Sequence, residues 1–199
     1  MNKQKPKKFN AIVKTGEKLF KQFGMKRVSV EEICQKGTVS KATFYKYFKN
    51  KNALIKHIFQ RWFDDTYDQM AIIDRQSIPF PLKIKKIFGL KKQIVNEMSP
   101  EFIEEYLNLT PELLPFFNQA KQDSYKKFSY YIEKWKAEGH IRKDIKPQFI
   151  IAAMESLEYF TNRDDLPKLY DEYIDYVEEI FNFFFYGILT ERKEDDSKS

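Results

Sequence analysis

Three helix start signals lie close together in the first quarter of the chain and constrain its local fold strongly. Ser29, Ser40 and Asn50 can each accept a hydrogen bond from a backbone N–H in the first turn of a helix. Glu32, three residues after Ser29, completes a capping box. Because Gly37 ends the first segment, the pattern predicts two short helices joined by a tight turn, followed by a longer helix.

The remainder of the chain also has helical periodicity. No segment shows the sustained period-two alternation of a half-buried strand. Ser99 followed by Pro100 marks a further helix start, Pro147 marks another, and Gly24 and Gly139 mark stops. We therefore predict an all-α fold of about nine helices.

Prolines set the expected helix boundaries in the second half. A linker over Arg75–Pro81 contains two prolines and predicts that the next helix spans Leu82–Met98. Thr110 followed by Pro111 repeats the signal seen at Ser99 and predicts another start. The last helix is expected over Lys168–Leu189.

Charge is distributed unevenly along the chain. The net charge of +6 comes from 35 Lys and Arg residues against 29 acidic residues. The first 60 residues carry 15 basic and 3 acidic residues, a net charge of +12, whereas the remainder carries −6. This segregation indicates a polyanion-binding module joined to a part that avoids the polyanion. A solvated Lys-rich surface remains the alternative.

The chemistry of the basic end fits duplex DNA. Two helices around a short turn are typical of a helix-turn-helix, whose second helix enters the major groove. Ala42 is small enough for close approach, Thr43 can donate, accept or contact a thymine methyl, and Lys41 can reach guanine or phosphate. Other polar residues suited to this surface are Lys46, Tyr45, Tyr47, Lys49 and Lys51. A small helical bundle with a Lys-coated surface is the alternative.

A longer motif starts at Ser40. The pattern Ser-Lys-x-Thr-aromatic-Tyr-x-Tyr-Phe-x-x-Lys-x-x-Leu ends at Leu54. Residues 9–60 closely resemble the N-terminal domain of the tetracycline-repressor (TetR) family of bacterial transcription regulators. The run Gly139-His140-Ile141 resembles the lead-in to that family's eighth helix. Two departures are Gly37-Thr38, where Ala-Gly is commoner, and Ala42, where many members have Gly.

The resemblance implies a homodimer that binds a palindromic operator with one recognition helix per subunit. A small molecule bound by the C-terminal domain then changes the spacing of the two heads and releases the DNA. We expect a repressor, on the habit of the family. The DNA contacts carried over by position are Ser29, Ser40, Lys41, Ala42, Thr43, Tyr45, Lys46, Tyr47 and Lys51.

The resemblance also divides the chain. Residues 1–52 would form the DNA-binding domain, helix 51–73 would connect it, residues 75–190 would bind the effector and dimerise, and residues 191–199 would be a disordered charged tail. The expected dimer interface consists of Ile150, Met154, Leu157, Phe160, Ile174, Val177, Phe181, Phe184 and Phe185. Packing within one subunit is the alternative for these residues.

Aromatic residues are dense in the middle helices. A pocket lined by aromatics would favour a largely apolar or aromatic ligand held by a few hydroxyl groups. The candidate lining residues are Phe88, Phe102, Tyr106, Phe117, Phe128, Tyr131 and Trp135. Core packing is the alternative, because aromatics at helical spacing are usually core.

Other function classes receive little support from the sequence. His57, His140 and Cys34 are the only histidines and cysteine, and they form no recognisable catalytic or metal-binding spacing. We therefore expect no enzyme activity, no cofactor and no metal. The sequence has no signal-peptide pattern and no spanning segment, which indicates a cytoplasmic protein without a membrane partner. The rival hypothesis is a helical carrier of hydrophobic ligands, or a membrane-surface protein with a basic head.

Overall fold

The computed structural model describes residues 6–161, 165–171, 175–176, 179–180 and 182–183. These residues form eight α-helices and one short 3-10 helix and contain no β-strand, which confirms the all-α prediction. The α-helices are α1 (Lys7–Phe23), α2 (Val30–Lys36), α3 (Lys41–Tyr47), α4 (Lys51–Asp74), α5 (Phe80–Asn96), α6 (Pro100–Leu107), α7 (Leu114–Ala137) and α8 (Pro147–Thr161). The 3-10 helix is Leu166–Leu169.

The chain divides into two compact units, Met1–Ala120 and Lys121–Ser199. The first unit holds α1 to α6 and the first residues of α7, and the second holds the remainder. No helix in the described ranges is long and apolar enough to cross a membrane. The domain limits expected at residues 52 and 75 stay predictions, and the tail 191–199 lies outside the described residues.

The three predicted caps all form. Ser29 Oγ and Ser40 Oγ each accept a hydrogen bond, both at 3.1 Å, from the backbone N–H three residues later. Asn50 Oδ1 does the same at 2.9 Å. The caps satisfy N–H groups that have no partner within the helix, and they start α2, α3 and α4 where the sequence predicts.

One apolar core joins the helix-turn-helix to α4, α6 and the start of α7. Ile33 of α2, Phe44 of α3 and Leu54 of α4 are fully buried in it. Phe102 of α6 and Phe117 of α7 belong to the same cluster. The N-terminal head, defined here as residues 7–54, therefore packs directly on helices that follow it in the first unit.

Two helix starts in the middle of the chain differ from expectation. Helix α5 begins at Phe80 and includes Pro81, because the first turn needs no N–H from a proline at that position. Helix α7 begins at Leu114 rather than beside Thr110. A separate turn precedes it, in which the N–H of Leu113 donates to Thr110 O at 2.9 Å.

The last predicted helix also starts differently. Lys168 lies inside the 3-10 helix Leu166–Leu169, so the predicted helix start at this residue is wrong. Pro167 fits the first turn of this short element, and Tyr170 ends it in an extended conformation at ψ 144°. Residues 175–176, 179–180 and 182–183 are helical, and the rest of the expected helix lies outside the described residues.

In the turn between α2 and α3, the glycine and the left-handed backbone conformation fall on two different residues. Gly37 has an ordinary φ of −81°, but a Cβ there would lie 2.9 Å from the carbonyl oxygen of Ile33. Thr38 instead takes the left-handed conformation, with φ of 52°. Glycine at position 37 therefore serves close backbone approach, while a β-branched residue occupies the strained position.

Substitutions in this turn should have opposite effects. Thr38→Gly should raise the free energy of unfolding by about 1 kcal/mol, because it relieves left-handed strain at some entropic cost. Gly37→Ala should lower it by about 1–3 kcal/mol through the clash with Ile33 O. Denaturant unfolding measures both changes, and a less stable Thr38→Gly protein would contradict the strain at Thr38.

A half-buried carboxylate links α1 to α4. Glu17 Oε1 accepts a hydrogen bond from Trp62 Nε1 at 2.8 Å, its Oε2 pairs with Arg61, and Lys21 Nζ lies 3.5 Å from Oε1. Burial raises the pKa of Glu17, but the Trp62 hydrogen bond and the Arg61 charge outweigh it and hold the pKa below its usual value. The ionised form therefore stabilises the fold.

This pKa shift makes stability depend on pH. A carboxylate with a lowered pKa contributes stability above its unfolded pKa, and the contribution disappears as pH falls through the folded pKa. Wild type should therefore exceed Glu17→Gln in free energy of unfolding by more at about pH 7 than at about pH 3. Urea unfolding at both pH values tests this, and an equal difference would show that the Glu17 charge is not stabilising.

Candidate nucleic-acid interface

Helix α3 buries one face and exposes the other. Phe44 is fully buried, whereas Lys41, Ala42, Tyr45 and Lys46 are exposed. Tyr45 is 54% exposed, and its ring meets Phe44 edge-on with the centroids 5.4 Å apart. The predicted contact residues therefore share an exposed polar face of the helix, as a groove-binding helix requires.

Four other predicted contacts have structural roles. Ser29 and Ser40 are exposed but use their hydroxyl oxygens as helix caps. Thr43 is half-buried, and its hydroxyl lies 2.9 Å from Ser40 Oγ. Tyr47 is half-buried as well, with its ring packed edge-on against Phe9 at 5.4 Å. Part of the face is thus fixed in place by contacts within the head.

An ion pair connects α2 to α3. Lys41 Nζ pairs with Glu31, and both side chains are exposed. The hydrogen bond between them lowers the pKa of Glu31 and raises that of Lys41, so both groups keep their charges. Lys41 is therefore directed toward α2.

Glu32 balances charge on the other side of α2. Its carboxylate lies 3.8 Å from Arg27 and 3.7 Å from Lys36. Both cations also lie over the ring of Phe23, with Arg27 at 4.4 Å and Lys36 at 5.7 Å from its centroid. These contacts place two more cations around the start and end of α2.

Lys51 has a different environment from the one expected of a DNA contact. Its Nζ donates to three backbone carbonyls, those of Met25 at 2.7 Å, Lys26 at 2.9 Å and Val28 at 2.8 Å. Burial lowers the pKa of Lys51, and the charge of nearby Glu105 acts in the opposite direction. Lys51 thus holds the turn between α1 and α2, a role that the sequence interpretation missed because its partners lie 23 to 26 residues earlier.

Removal of this ammonium should destabilise the head. Lys51→Met keeps much of the apolar stem but leaves three carbonyls without a charged donor, so the free energy of unfolding should fall by about 1–3 kcal/mol. Lys49→Met removes an exposed charge nearby and should change stability by about 0.5 kcal/mol or less. Chemical denaturation compares the two, and equal effects would contradict the structural role of Lys51.

The predicted pocket residues fall into two clusters, one in each unit. In the first, Phe59 contacts Phe102, Tyr106 and Phe117, with ring centroids 5.9, 5.8 and 4.6 Å away. Phe102 and Phe117 are buried core residues, whereas Tyr106 is 42% exposed. Phe59, which is common to these contacts, is not among the predicted pocket residues.

The second aromatic cluster surrounds Trp135. This side chain is 1% exposed and lies 5.6 Å from the ring of Tyr131 and 6.2 Å from that of Phe128. The side chain of Phe88 is outside the described part of the structure. A ligand-lining role for these aromatics stays a prediction.

Of the expected dimer residues, Ile150 is the one whose side chain the structure describes. It is 1% exposed within its own chain, which leaves little of its surface for a partner, whereas neighbouring Phe149 is 63% exposed. The other expected residues, Met154, Leu157, Phe160, Ile174, Val177, Phe181, Phe184 and Phe185, have side chains outside the described set. Their interface role stays a prediction.

Comparison with protein families gives a match to the head. Residues 12–58 match the family described as bacterial regulatory proteins, tetR family. In Bacillus subtilis (strain 168), the uncharacterized HTH-type transcriptional regulator YvdT is 33% identical over 70 residues, which are 35% of this chain and 36% of YvdT. YerO, described in the same words, is 29% identical over 128 residues, which are 63% of this chain and 42% of YerO. The matched region thus spans less than half the length of either relative.

Solved structures share the fold over most of the chain. The fatty acid degradation regulator FadR from Bacillus halodurans has a TM-score of 0.71 at 15% identity, covering 92% of this chain and 97% of FadR. SmeT, the repressor of the Stenotrophomonas maltophilia multidrug efflux pump SmeDEF, has a TM-score of 0.68 at 14% identity, covering 95% and 93%. At these identities the likeness concerns the fold.

Proposed function

We propose that this chain, which has the N-terminal domain and the fold of TetR-family transcription regulators, binds a duplex operator as a homodimer and represses transcription. The exposed polar face of α3 carries the proposal. It stands on a fully buried Phe44 and lies within a segment of net charge +12. A rigid helix with this exposed chemistry is suited to the major groove.

Each residue of the proposed contact surface has a distinct role. Ala42 permits close approach to base edges, and Thr43 lies beside it for hydrogen bonds or a thymine methyl. Lys46 and Tyr45 are long enough to reach phosphate, as is Lys41 once it leaves Glu31. Ser29 and Ser40 present helix starts to the phosphate backbone.

The second part of the proposal is release of DNA by a small, largely apolar or aromatic ligand. The clusters around Phe59 and Trp135 support this ligand class, because both combine rings with tyrosine hydroxyls. Among the proteins of similar fold, FadR is a fatty acid degradation regulator and SmeT is the repressor of a multidrug efflux pump. This protein would act in the cytoplasm, where its operator DNA lies.

A salt titration separates the proposal from the rival membrane-surface hypothesis. A duplex selected from random sequence should bind about 10³-fold or more tightly than bulk DNA. The logarithm of its association constant should fall steeply and linearly with the logarithm of the salt concentration. Equal affinity for random duplex and for anionic lipid vesicles would overturn the proposal in favour of the rival.

Tyr45 provides a site-specific test. Tyr45→Ala should weaken binding to the selected duplex by about tenfold, the loss of one phosphate contact, without changing the dimer. Tyr130→Ala removes another exposed tyrosine, from α7, and should leave affinity unchanged. Fluorescence anisotropy measures the affinity for the duplex, and sedimentation measures the dimer. Equal affinities for the two variants would show that the exposed face of α3 is not the contact surface.

A further inference from the structure

The turn between α1 and α2 is attached to α6 by a carboxylate. Glu105 accepts hydrogen bonds from the backbone N–H groups of Met25 and Lys26, the latter at 2.8 Å from Oε2. These partners lie about 80 residues apart in the chain. Hydrogen bonds to a charged acceptor are the stronger kind, so this link is well suited to fix the turn on α6.

Gly24 makes room for this link. It takes a φ of +80°, and a Cβ at this position would lie 2.8 Å from Glu105 Oε1. Any larger residue would thus strain the backbone and displace the carboxylate from the N–H groups. The turn and the carboxylate therefore fit each other closely.

The same turn is bound by a group of opposite charge. The Lys51 ammonium donates hydrogen bonds to the carbonyls of Met25, Lys26 and Val28. Glu105 accepts hydrogen bonds from two backbone N–H groups of the same turn. Lys51 is the first residue of α4, the helix that comes after α3, whereas the turn leads into α2. Both ends of the helix-turn-helix therefore meet at the turn that Glu105 holds.

A second pair of contacts fixes the beginning of α6 to the head. The N–H of Ser99 donates to Lys21 O at 2.8 Å, and Lys21 Nζ donates to Glu97 at 2.7 Å. Ser99 also caps α6 through its hydroxyl. Helix α6 thus contacts the end of α1 at its start and the following turn near its end.

We infer that Glu105 is a positioning residue for DNA binding, through which α6 sets the orientation of the helix-turn-helix. The inference rests on the proposed function. A shift of α6 that breaks the Glu105 hydrogen bonds frees the turn, and with it the connection from Lys51 to the end of α3. Operator affinity then falls although the exposed face of α3 is chemically unchanged.

Hydrogen exchange tests the link in the full chain without DNA. Glu105→Ala should accelerate exchange of the Met25 and Lys26 amides, while Glu105→Gln, which keeps an acceptor oxygen, should protect them in part. Glu104→Ala removes the same charge from an exposed position on the same helix and should leave both amides as in wild type. Unchanged protection in Glu105→Ala would overturn the inference.

Operator affinity tests the consequence. At a temperature where circular dichroism shows every variant folded, Glu105→Ala should bind the selected duplex about tenfold more weakly than Glu104→Ala, a typical coupling between sites. Glu105→Gln should fall between them. Equal affinities of Glu105→Ala and Glu104→Ala would assign Glu105 a purely structural role and overturn the inference. Failure of the wild type to prefer any duplex would instead reject the proposed function.

Discussion

The three hydrogen bonds from Lys51 to backbone carbonyls are the interaction on which the head depends. A turn that exposes carbonyls to the protein interior needs donors, and one ammonium group supplies three. Since Lys51 begins α4, this contact joins the helix that follows the helix-turn-helix to the turn that precedes it. The orientation of α2 and α3 follows from this closure.

The head is also continuous with the helices that follow it. Phe59 of α4 stacks on Phe102 of α6 and meets Phe117 of α7, while Ile12 and Phe44 of the head are buried in the same core cluster. Well-packed cores shift as blocks rather than deform smoothly. A displacement of α6 is therefore expected to reach the exposed face of α3 as a rigid movement.

The basic charge of the head is used in two ways. Lys51 acts inside the structure, and Lys41 is paired with Glu31. Arg27 and Lys36 share Glu32. DNA would compete with these acids for their partners, so the acids would favour a well-matched groove over bulk phosphate. The net charge of +12 therefore overstates what is available for non-specific attraction.

Features set by local chemistry could be predicted from the sequence, including the helix caps at Ser29, Ser40 and Asn50. Features set by distant contacts could not. Nothing near Lys51 in the sequence indicates the carbonyls it binds, and the partners of Glu105 lie about 80 residues away. The left-handed conformation of Thr38 could not be predicted either, because the adjacent glycine is the residue that usually adopts such a conformation.

Chemical interference on the selected duplex tests most directly whether α3 reads the major groove. Dimethyl sulfate methylates guanine N7 in the major groove and adenine N3 in the minor groove. Guanine methylation should block binding at two sites about one helical turn apart, and adenine methylation between them should not. Interference confined to adenine N3, or absent from both grooves, would contradict recognition by the exposed face of α3.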